Sequence, residues 1–159
     1  MSQLVIREAA REDAPQILEF IKDLADYEKM SDEVVATVED IEQTVFAEQP
    51  KAYCLIAEWE GQSAGFALYF YSYSTFLGKH GIYLEDLFVK PEFRGKRIGM
   101  TLLKRLSKIA VDNDCKRMDW SVLDWNKPAI EFYDSIGAKP QKEWLGYRLT
   151  GEALSKFAE

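Results

Sequence analysis

The stretch at residues 83–106 constrains the fold most, because it predicts a strand, a loop and a helix in immediate succession. Two acids, Glu85 and Asp86, interrupt an otherwise apolar run of β-forming residues. That run consists of Tyr83, Leu84, Leu87, Phe88 and Val89. Pro91 ends the strand, since proline cannot donate to a ladder. Apolar residues then recur at helical spacing, at Ile98, Leu102, Leu106 and Ile109.

The loop between this strand and this helix combines glycines with positive charge. Its residues are Arg94, Gly95, Lys96, Arg97, Ile98 and Gly99. Glycines let backbone N–H groups approach a ligand, and the start of a helix favours an anion. The loop therefore predicts a site for a phosphate-bearing ligand. The alternative is a basic surface loop that precedes an ordinary helix.

Length and charge restrict the remaining classes. A chain of 159 residues suits one domain, here residues 1–159, with a substantial core. The N-terminus has the pattern of a first strand rather than of a signal peptide, and no apolar run approaches the ~20 residues of a membrane helix. A net charge of −7 argues against nucleic acid as a general partner. We expect a globular protein with neither a nucleic-acid nor a membrane partner.

Cysteine and histidine are scarce. Cys54 and Cys115 both lie in apolar contexts, which favours free buried thiols in a reducing, cytoplasmic environment over a disulfide. His80 is the single histidine, so a histidine-rich metal site is excluded and no metal is expected.

The whole chain predicts the element order β-α-α-β-β-β-α-β-α-β, followed by a short terminal helix from Thr150. Asp13 and Thr37 are the predicted caps of the first two helices, and residues 60–62 form the turn of a hairpin. Alternation at residues 144–149 predicts the last strand. The fold class is α/β, with a mixed, mostly antiparallel sheet flanked by helices.

The strand and loop at residues 83–106 resemble the acyl-CoA-binding motif of the GNAT N-acetyltransferases, Arg/Gln-x-x-Gly-x-Gly/Ala after a V-x-P-x-x-R turn. Arg94 and Gly99 match, whereas Arg97 stands where a glycine is usual. The element order is also that of the GNAT fold, so the resemblance covers nearly the whole chain. It implies that acetyl-CoA is a cosubstrate, held by the six loop residues and by backbone groups of Leu87, Phe88 and Val89.

A second motif at residues 124–138 is similar to another conserved pattern of that family. The resemblance implies that Asn126 and Ala129 contact the pantetheine region and that Tyr133 protonates the departing CoA sulfur. Tyr133 follows Asn126 by two helical turns, so the two share a face. A phenol can donate at neutral pH, although a helical tyrosine is more often a packing residue.

Acetyl transfer to an amine needs a group that takes a proton from the ammonium form. Glu85, a carboxylate in an apolar central strand, is the predicted proton acceptor, because such a residue is rarely buried without a role. Asp86 points to the opposite face and is the weaker candidate. The alternative is that these acids are solvated or structural.

Several short segments resemble the diamine (spermidine/spermine) and thialysine N-acetyltransferase branch. They are Tyr27-Glu28, residues 76–79, residues 83–86 and residues 124–126. The resemblance implies that Tyr27, Glu28 and Glu85 face a cationic substrate whose primary amine is acetylated. Leu145 stands where the polyamine enzymes have an acid, which favours a shorter amine or a lysine-like amino acid.

Two alternatives stay open: a GNAT-fold module that binds acyl-CoA without turnover, and an acetyltransferase acting on a protein or peptide amino group. The resemblance also implies a homodimer. Aromatic residues concentrated at residues 66–76 agree with that expectation, since a monomer would expose part of them. Four of them, Phe66, Tyr69, Tyr71 and Tyr73, are expected to be core or a subunit contact.

Overall fold

Among residues 3–159, which a computed structural model describes, five strands form one sheet. The strands are β1 (Leu4–Glu8), β2 (Tyr53–Trp59), β3 (Gln62–Ser74), β4 (Lys79–Val89) and β5 (Met118–Trp120). The helices are α1 (Ala14–Tyr27), α2 (Val38–Thr44), α3 (Ile98–Asp112), α4 (Lys127–Ser135) and α5 (Gly151–Phe157). Short 3-10 turns lie at Arg11–Asp13, Ser31–Glu33 and Pro91–Phe93.

The sheet follows chain order, β1-β2-β3-β4-β5. The first three pairings are antiparallel, and β4 pairs with β5 in parallel from Ile82↔Met118 to Leu84↔Trp120. The predicted mixed, mostly antiparallel sheet with flanking helices is confirmed.

The apolar stripe of α1 packs on one face of this sheet. Phe20 of α1 stacks on Phe66 of β3 with ring centroids 5.1 Å apart, and both side chains are fully buried. Phe88 of β4 and Ile41 of α2 belong to the same core. The alternate strand residues, such as Leu55, lie on the opposite face, where α3 buries Leu102 and Leu106. Burial of one such side chain stabilises the fold by about 1.5–3 kcal/mol.

An irregularity in β4 changes which side chains reach each face. Leu68 of β3 pairs with Asp86, but the next residue of β3, Tyr69, pairs with Leu84. Glu85 is therefore the extra residue of a β-bulge, a feature that re-aims side chains and bends the strand.

Caps define the helix starts. Thr37 Oγ1 accepts from the Asp40 N–H at 3.1 Å, and the Asp40 carboxylate accepts from the Thr37 N–H at 2.9 Å. This capping box confirms Thr37 as the cap of α2. Asp13 does precede α1, yet its carboxylate binds Arg7 at 2.7 Å and the Ala10 N–H at 2.7 Å instead of a helical N–H.

The chain forms two compact units, one ending at Ser121 and one spanning Val122–Glu159. The predicted last strand at residues 144–149 is wrong: this segment has no regular secondary structure and all its residues are exposed. Alternating apolar residues form a strand only where a ladder pairs them, and no ladder between the described strands includes this segment. The short terminal helix is confirmed as α5.

Two other expectations concern membrane-spanning helices and the number of domains. No helix in residues 3–159 combines the length and apolar character needed to cross a membrane. The single domain over residues 1–159, of which residues 1 and 2 lie outside the described chain, stays a prediction.

Candidate active site

The loop between β4 and α3 has the left-handed backbone that its glycines suggest. Gly95 has a φ of +82°. Arg97, directly before α3, has a φ of 61°. Side chains are unfavourable in this region of conformational space, and glycine is not. The conformation explains why a glycine is usual at the position that Arg97 occupies.

The start of α3 supplies backbone donors beside this loop. The first bond within the helix runs from the Thr101 N–H to the Arg97 carbonyl oxygen at 3.0 Å. N–H groups that precede the first helical bond have no intrahelical partner, and they carry the positive end of the helix dipole. Arg94, Lys96 and Arg97 are all exposed at this end. The structure therefore brings the predicted loop residues together as an anion-binding arrangement.

Two of these cations lie over aromatic rings. Arg94 Cζ lies 5.3 Å from the ring centroid of Tyr27 and 5.8 Å from that of Phe88. Arg94 Nε also donates to the Val89 carbonyl oxygen at 3.2 Å. Lys96 Nζ lies 5.1 Å from the ring centroid of Trp59, a residue that sequence reasoning did not connect with the loop. Tyr27, predicted to face the substrate, is thus also a support for Arg94.

A pocket of about 360 Å³ opens beside Arg94, between the end of α1 and the end of β4. Its charged lining residues are Glu19, Asp23, Asp26, Lys90, Glu92 and Arg94, with acids outnumbering cations. Burial, followed by the charge of Glu19, raises the pKa of Asp23. The pocket suits a cationic group better than an anionic one. Sequence reasoning missed the three of these acids that lie on α1, which are Glu19, Asp23 and Asp26, because helical spacing does not show that they meet the end of β4.

The two acids of β4 lie in different environments. Glu85 is exposed, contrary to the burial expected of an acid in a central strand. Asp86 is half-buried, and burial followed by the charges of Glu85 and Glu28 raises its pKa to about 6. Glu28, at the C-terminal cap of α1, is also half-buried, and burial raises its pKa. The charge of Glu28 thus acts on Asp86.

The backbone of Leu87, Phe88 and Val89 continues β4 beyond its parallel ladder. That ladder ends at Leu84↔Trp120, while pairing with β3 continues to Val89↔Gly65. The arrangement is compatible with the expected role of these backbone groups toward a bound pantetheine arm.

In the second unit, α4 brings together the residues of the other motif. Asn126 caps the helix, with its Oδ1 accepting from the Ala129 N–H at 3.5 Å. Tyr133 is half-buried, and its ring centroid lies 5.7 Å from that of Phe132. Gly137 follows the helix with a φ of +91°, so the predicted stop is confirmed.

Residues 3–159 contain no cluster of three or more His, Cys, Asp or Glu side chains arranged to hold an ion.

Comparison with known proteins gives consistent matches. Residues 16–138 match the model of the Acetyltransferase (GNAT) family. The chain is 40% identical to a thialysine N-epsilon-acetyltransferase of Sus scrofa and 41% identical to that of Bos taurus, over 99% of each chain. It is 38% identical to the human spermidine/spermine N(1)-acetyltransferase-like protein 1, over 99% of this chain and 24% of that protein.

Solved structures show the same fold. An integron cassette protein from the mobile metagenome of V. cholerae superposes with a TM-score of 0.84 at 29% identity, over 100% of this chain and 99% of the other. An aminoglycoside acetyltransferase from an uncultured soil sample superposes with a TM-score of 0.77 at 17% identity, over 94% and 97%. The loop geometry and the helix motif agree with the matched family model, and this chain belongs to the GNAT acetyltransferase family.

Proposed function

We propose that this protein transfers the acetyl group of acetyl-CoA to a primary amine of a small cationic substrate, by direct attack of the amine. The observation that carries the proposal is the loop between β4 and α3. There a helix N-terminus, a left-handed glycine and three exposed cations meet, which fits the phosphates of CoA. When bound, acetyl-CoA supplies the activated acetyl group.

The acidic groups of the first unit support a cationic acceptor. The charges of Glu85 and Glu28 both act on Asp86, and the pocket between the ends of α1 and β4 is lined mainly by acids. Full-length relatives at 40–41% identity are thialysine N-epsilon-acetyltransferases. Together with Leu145, this favours a lysine-like amino acid or a short diamine over a long polyamine.

Two proton transfers accompany the reaction. The ammonium group of the substrate must lose a proton before its nitrogen can attack, and Glu85 is the sequence-based candidate for the acceptor. Tyr133 is the candidate that donates a proton to the departing sulfur. Asn126 and Ala129, one turn or more before Tyr133 in the same helical segment, are proposed to contact the pantetheine arm.

We also propose that the protein is a cytoplasmic homodimer without nucleic-acid or membrane partners. Support for the dimer comes from aromatic side chains near the end of β3: Tyr71 is 38% exposed, Tyr73 64% and Phe76 89%. Phe66 and Tyr69, from the same predicted aromatic set, are buried in the core. A monomeric mass by light scattering at micromolar concentration would overturn the dimer.

The test of the function is thiol release from acetyl-CoA with a panel of amines: thialysine, lysine, ornithine, putrescine, spermidine, spermine and a peptide with a free N-terminus. Turnover is expected with the small cationic amines and to be fastest with those of lysine-like length. Binding of acetyl-CoA without turnover on any amine would instead support an acyl-CoA-binding module. Turnover on the peptide alone would support the protein-directed alternative.

A further inference from the structure

Arg94 belongs to two neighbouring arrangements of the first unit. It is an exposed cation of the loop between β4 and α3, and it also lines the pocket between the ends of α1 and β4. Its guanidinium lies over the rings of Tyr27 and Phe88, which line the same pocket. Its Nε donates to the Val89 carbonyl oxygen at 3.2 Å, which holds the side chain at the end of β4. The loop and the pocket therefore share one guanidinium group.

The pocket carries an excess of negative charge. Four of its lining residues are acids and two are cations, so two negative charges are left uncompensated when all six are ionised. The other cation, Lys90, has its Nζ 4.0 Å from Glu19 Oε1, and its charge acts against the raised pKa of Asp23. In the part of the chain that the structure describes, no carboxylate forms an ion pair with Arg94. Arg94 thus compensates the acids of the pocket through space, without being tied to one of them.

From this shared position we infer that Arg94 couples the binding of CoA to the binding of the cationic acceptor. In the protein without CoA, the guanidinium compensates part of the negative charge of the pocket and weakens its attraction for an ammonium group. When Arg94 pairs with a phosphate oxygen of CoA, this compensation is lost and the pocket binds the amine more tightly. The inference rests on the proposed function and deepens it, because it links the two substrates of the same reaction.

The coupling is reciprocal. If CoA raises the affinity for the amine by some factor, the amine raises the affinity for CoA by the same factor. We expect a factor of about 3–10, toward the lower end of common couplings, because water and salt screen charges in an open pocket. The coupling requires no change of the backbone, since only the charge that surrounds Arg94 changes.

Lys96 provides the matched control. Like Arg94, it is an exposed cation of the loop and lies over an aromatic ring, with its Nζ 5.1 Å from the ring centroid of Trp59. Trp59 ends β2, whereas Tyr27 ends α1, and Lys96 does not line the pocket. Loss of the Lys96 charge should therefore weaken CoA binding without changing the charge of the pocket.

The experiment measures the dissociation constant of thialysine by titration calorimetry, in the protein alone and at a CoA concentration that saturates each variant; putrescine serves as a second probe. CoA has no acetyl group, so no turnover occurs. The parent should bind the amine about 3–10-fold more tightly when CoA is present. Arg94→Gln without CoA should bind the amine about 3–10-fold more tightly than the parent, because the compensating charge is gone. Added CoA should then change its amine affinity by less than about twofold.

Two further variants separate charge from position in the loop. Arg94→Lys keeps a positive charge in the pocket, and without CoA its amine affinity should stay within about twofold of that of the parent. Lys96→Gln should bind CoA more weakly and keep both the amine affinity and the coupling factor of the parent. The inference is overturned if Arg94→Gln without CoA binds the amine no more tightly than the parent. It is also overturned if CoA changes amine affinity equally in the parent and in Arg94→Gln.

A reciprocal titration completes the test. Saturating thialysine should raise the affinity of the parent for CoA by the same factor, and this factor should shrink as sodium chloride rises from about 50 to about 500 mM. A factor that salt leaves unchanged would contradict a coupling by charge. A parent protein that binds neither CoA nor either amine would overturn the proposed function itself, which is a distinguishable outcome.

Discussion

Arg94 and Tyr27 are stacked: the guanidinium carbon lies 5.3 Å from the ring centroid, although 67 positions of sequence separate the two residues. The contact joins the end of α1 to the loop before α3. It adds to the hydrogen bond to the Val89 carbonyl oxygen and to the contact with the Phe88 ring, which also position the exposed Arg94 side chain. The ring that is predicted to face the substrate therefore also contacts Arg94, a residue of the proposed CoA-binding loop.

Tyr27→Leu is expected to weaken CoA binding by about 2–5-fold, since cation–π contacts at exposed sites contribute about 0.5–1 kcal/mol. Tyr27→Phe keeps the ring and should bind CoA like the parent. Titration calorimetry with CoA measures both. Equal affinities for the leucine and phenylalanine variants would show that the ring does not position Arg94.

Arg97 combines a charge with an unfavourable backbone, and two substitutions separate these effects. Arg97→Gly should raise the free energy of unfolding by up to about 1 kcal/mol, because glycine accepts a positive φ. Arg97→Asn tolerates the same backbone and removes the charge. Both variants should bind CoA several-fold more weakly, with a smaller salt dependence. Undiminished affinity in both would mean that the guanidinium does not contact phosphate.

Gly99 lies in the first turn of α3, where a Cβ would come no closer than 4.0 Å to Val89 Cγ2. The protein itself therefore has room for a methyl group, and Gly99→Ala should raise helix stability by up to about 1 kcal/mol. CoA affinity should fall by about tenfold, because the methyl group obstructs the backbone donors. Chemical denaturation and calorimetry give the two signs separately, and a fall in stability would contradict the packing.

Tyr133→Phe deletes the hydroxyl and keeps the ring beside Phe132. CoA affinity and thermal stability should barely change, whereas kcat should fall by about 10²–10⁴-fold. Tyr73→Phe is the control, since Tyr73 is 64% exposed near the end of β3. Full kcat in Tyr133→Phe, under conditions in which chemistry limits the rate, would reduce the residue to a packing role.

The ionised form of Asp86 should lower the free energy of unfolding at pH values above its raised pKa. In the folded protein the Asp86 carboxyl group keeps its proton up to about pH 6. In an unfolded chain an aspartate carboxyl group loses its proton near pH ~4. Stability should thus fall as pH rises from about 4 to about 6 and remain lower above that window. Asp86→Asn removes the dependence and should stabilise the protein by about 1–2 kcal/mol at pH 8. Denaturation at pH 4 and pH 8 tests this, and an Asp86→Asn variant less stable at pH 8 would contradict it.

The strand, loop and helix around Arg94 could be predicted because their signals are local. Glycines, a proline and helical spacing act within a few residues, and so do the caps at Thr37 and Asn126. The bulge at Glu85 could not be predicted, because it depends on the register against Leu68 and Tyr69, a long-range pairing. Because the bulge is not visible in the sequence, burial is expected for Glu85, whereas Asp86 is the half-buried acid of the pair.

Residues 144–149 illustrate the same limit. Their alternation is typical of a strand, yet strand formation depends on pairing that the segment does not itself encode. The acids of α1 that line the pocket were missed for a related reason: helical periodicity gives a face of α1, and only the packed structure gives what that face meets.

The most direct test of acetyl transfer to a small amine is mass spectrometry of the products after incubation with acetyl-CoA and a lysine-like amine. The parent enzyme should produce the N-acetylated amine together with stoichiometric CoA. A variant that combines Arg94→Ala with Gly99→Val should fold and produce neither at a comparable rate. Free acetate and CoA without any acetylated amine, from any small amine of the panel, would contradict the account.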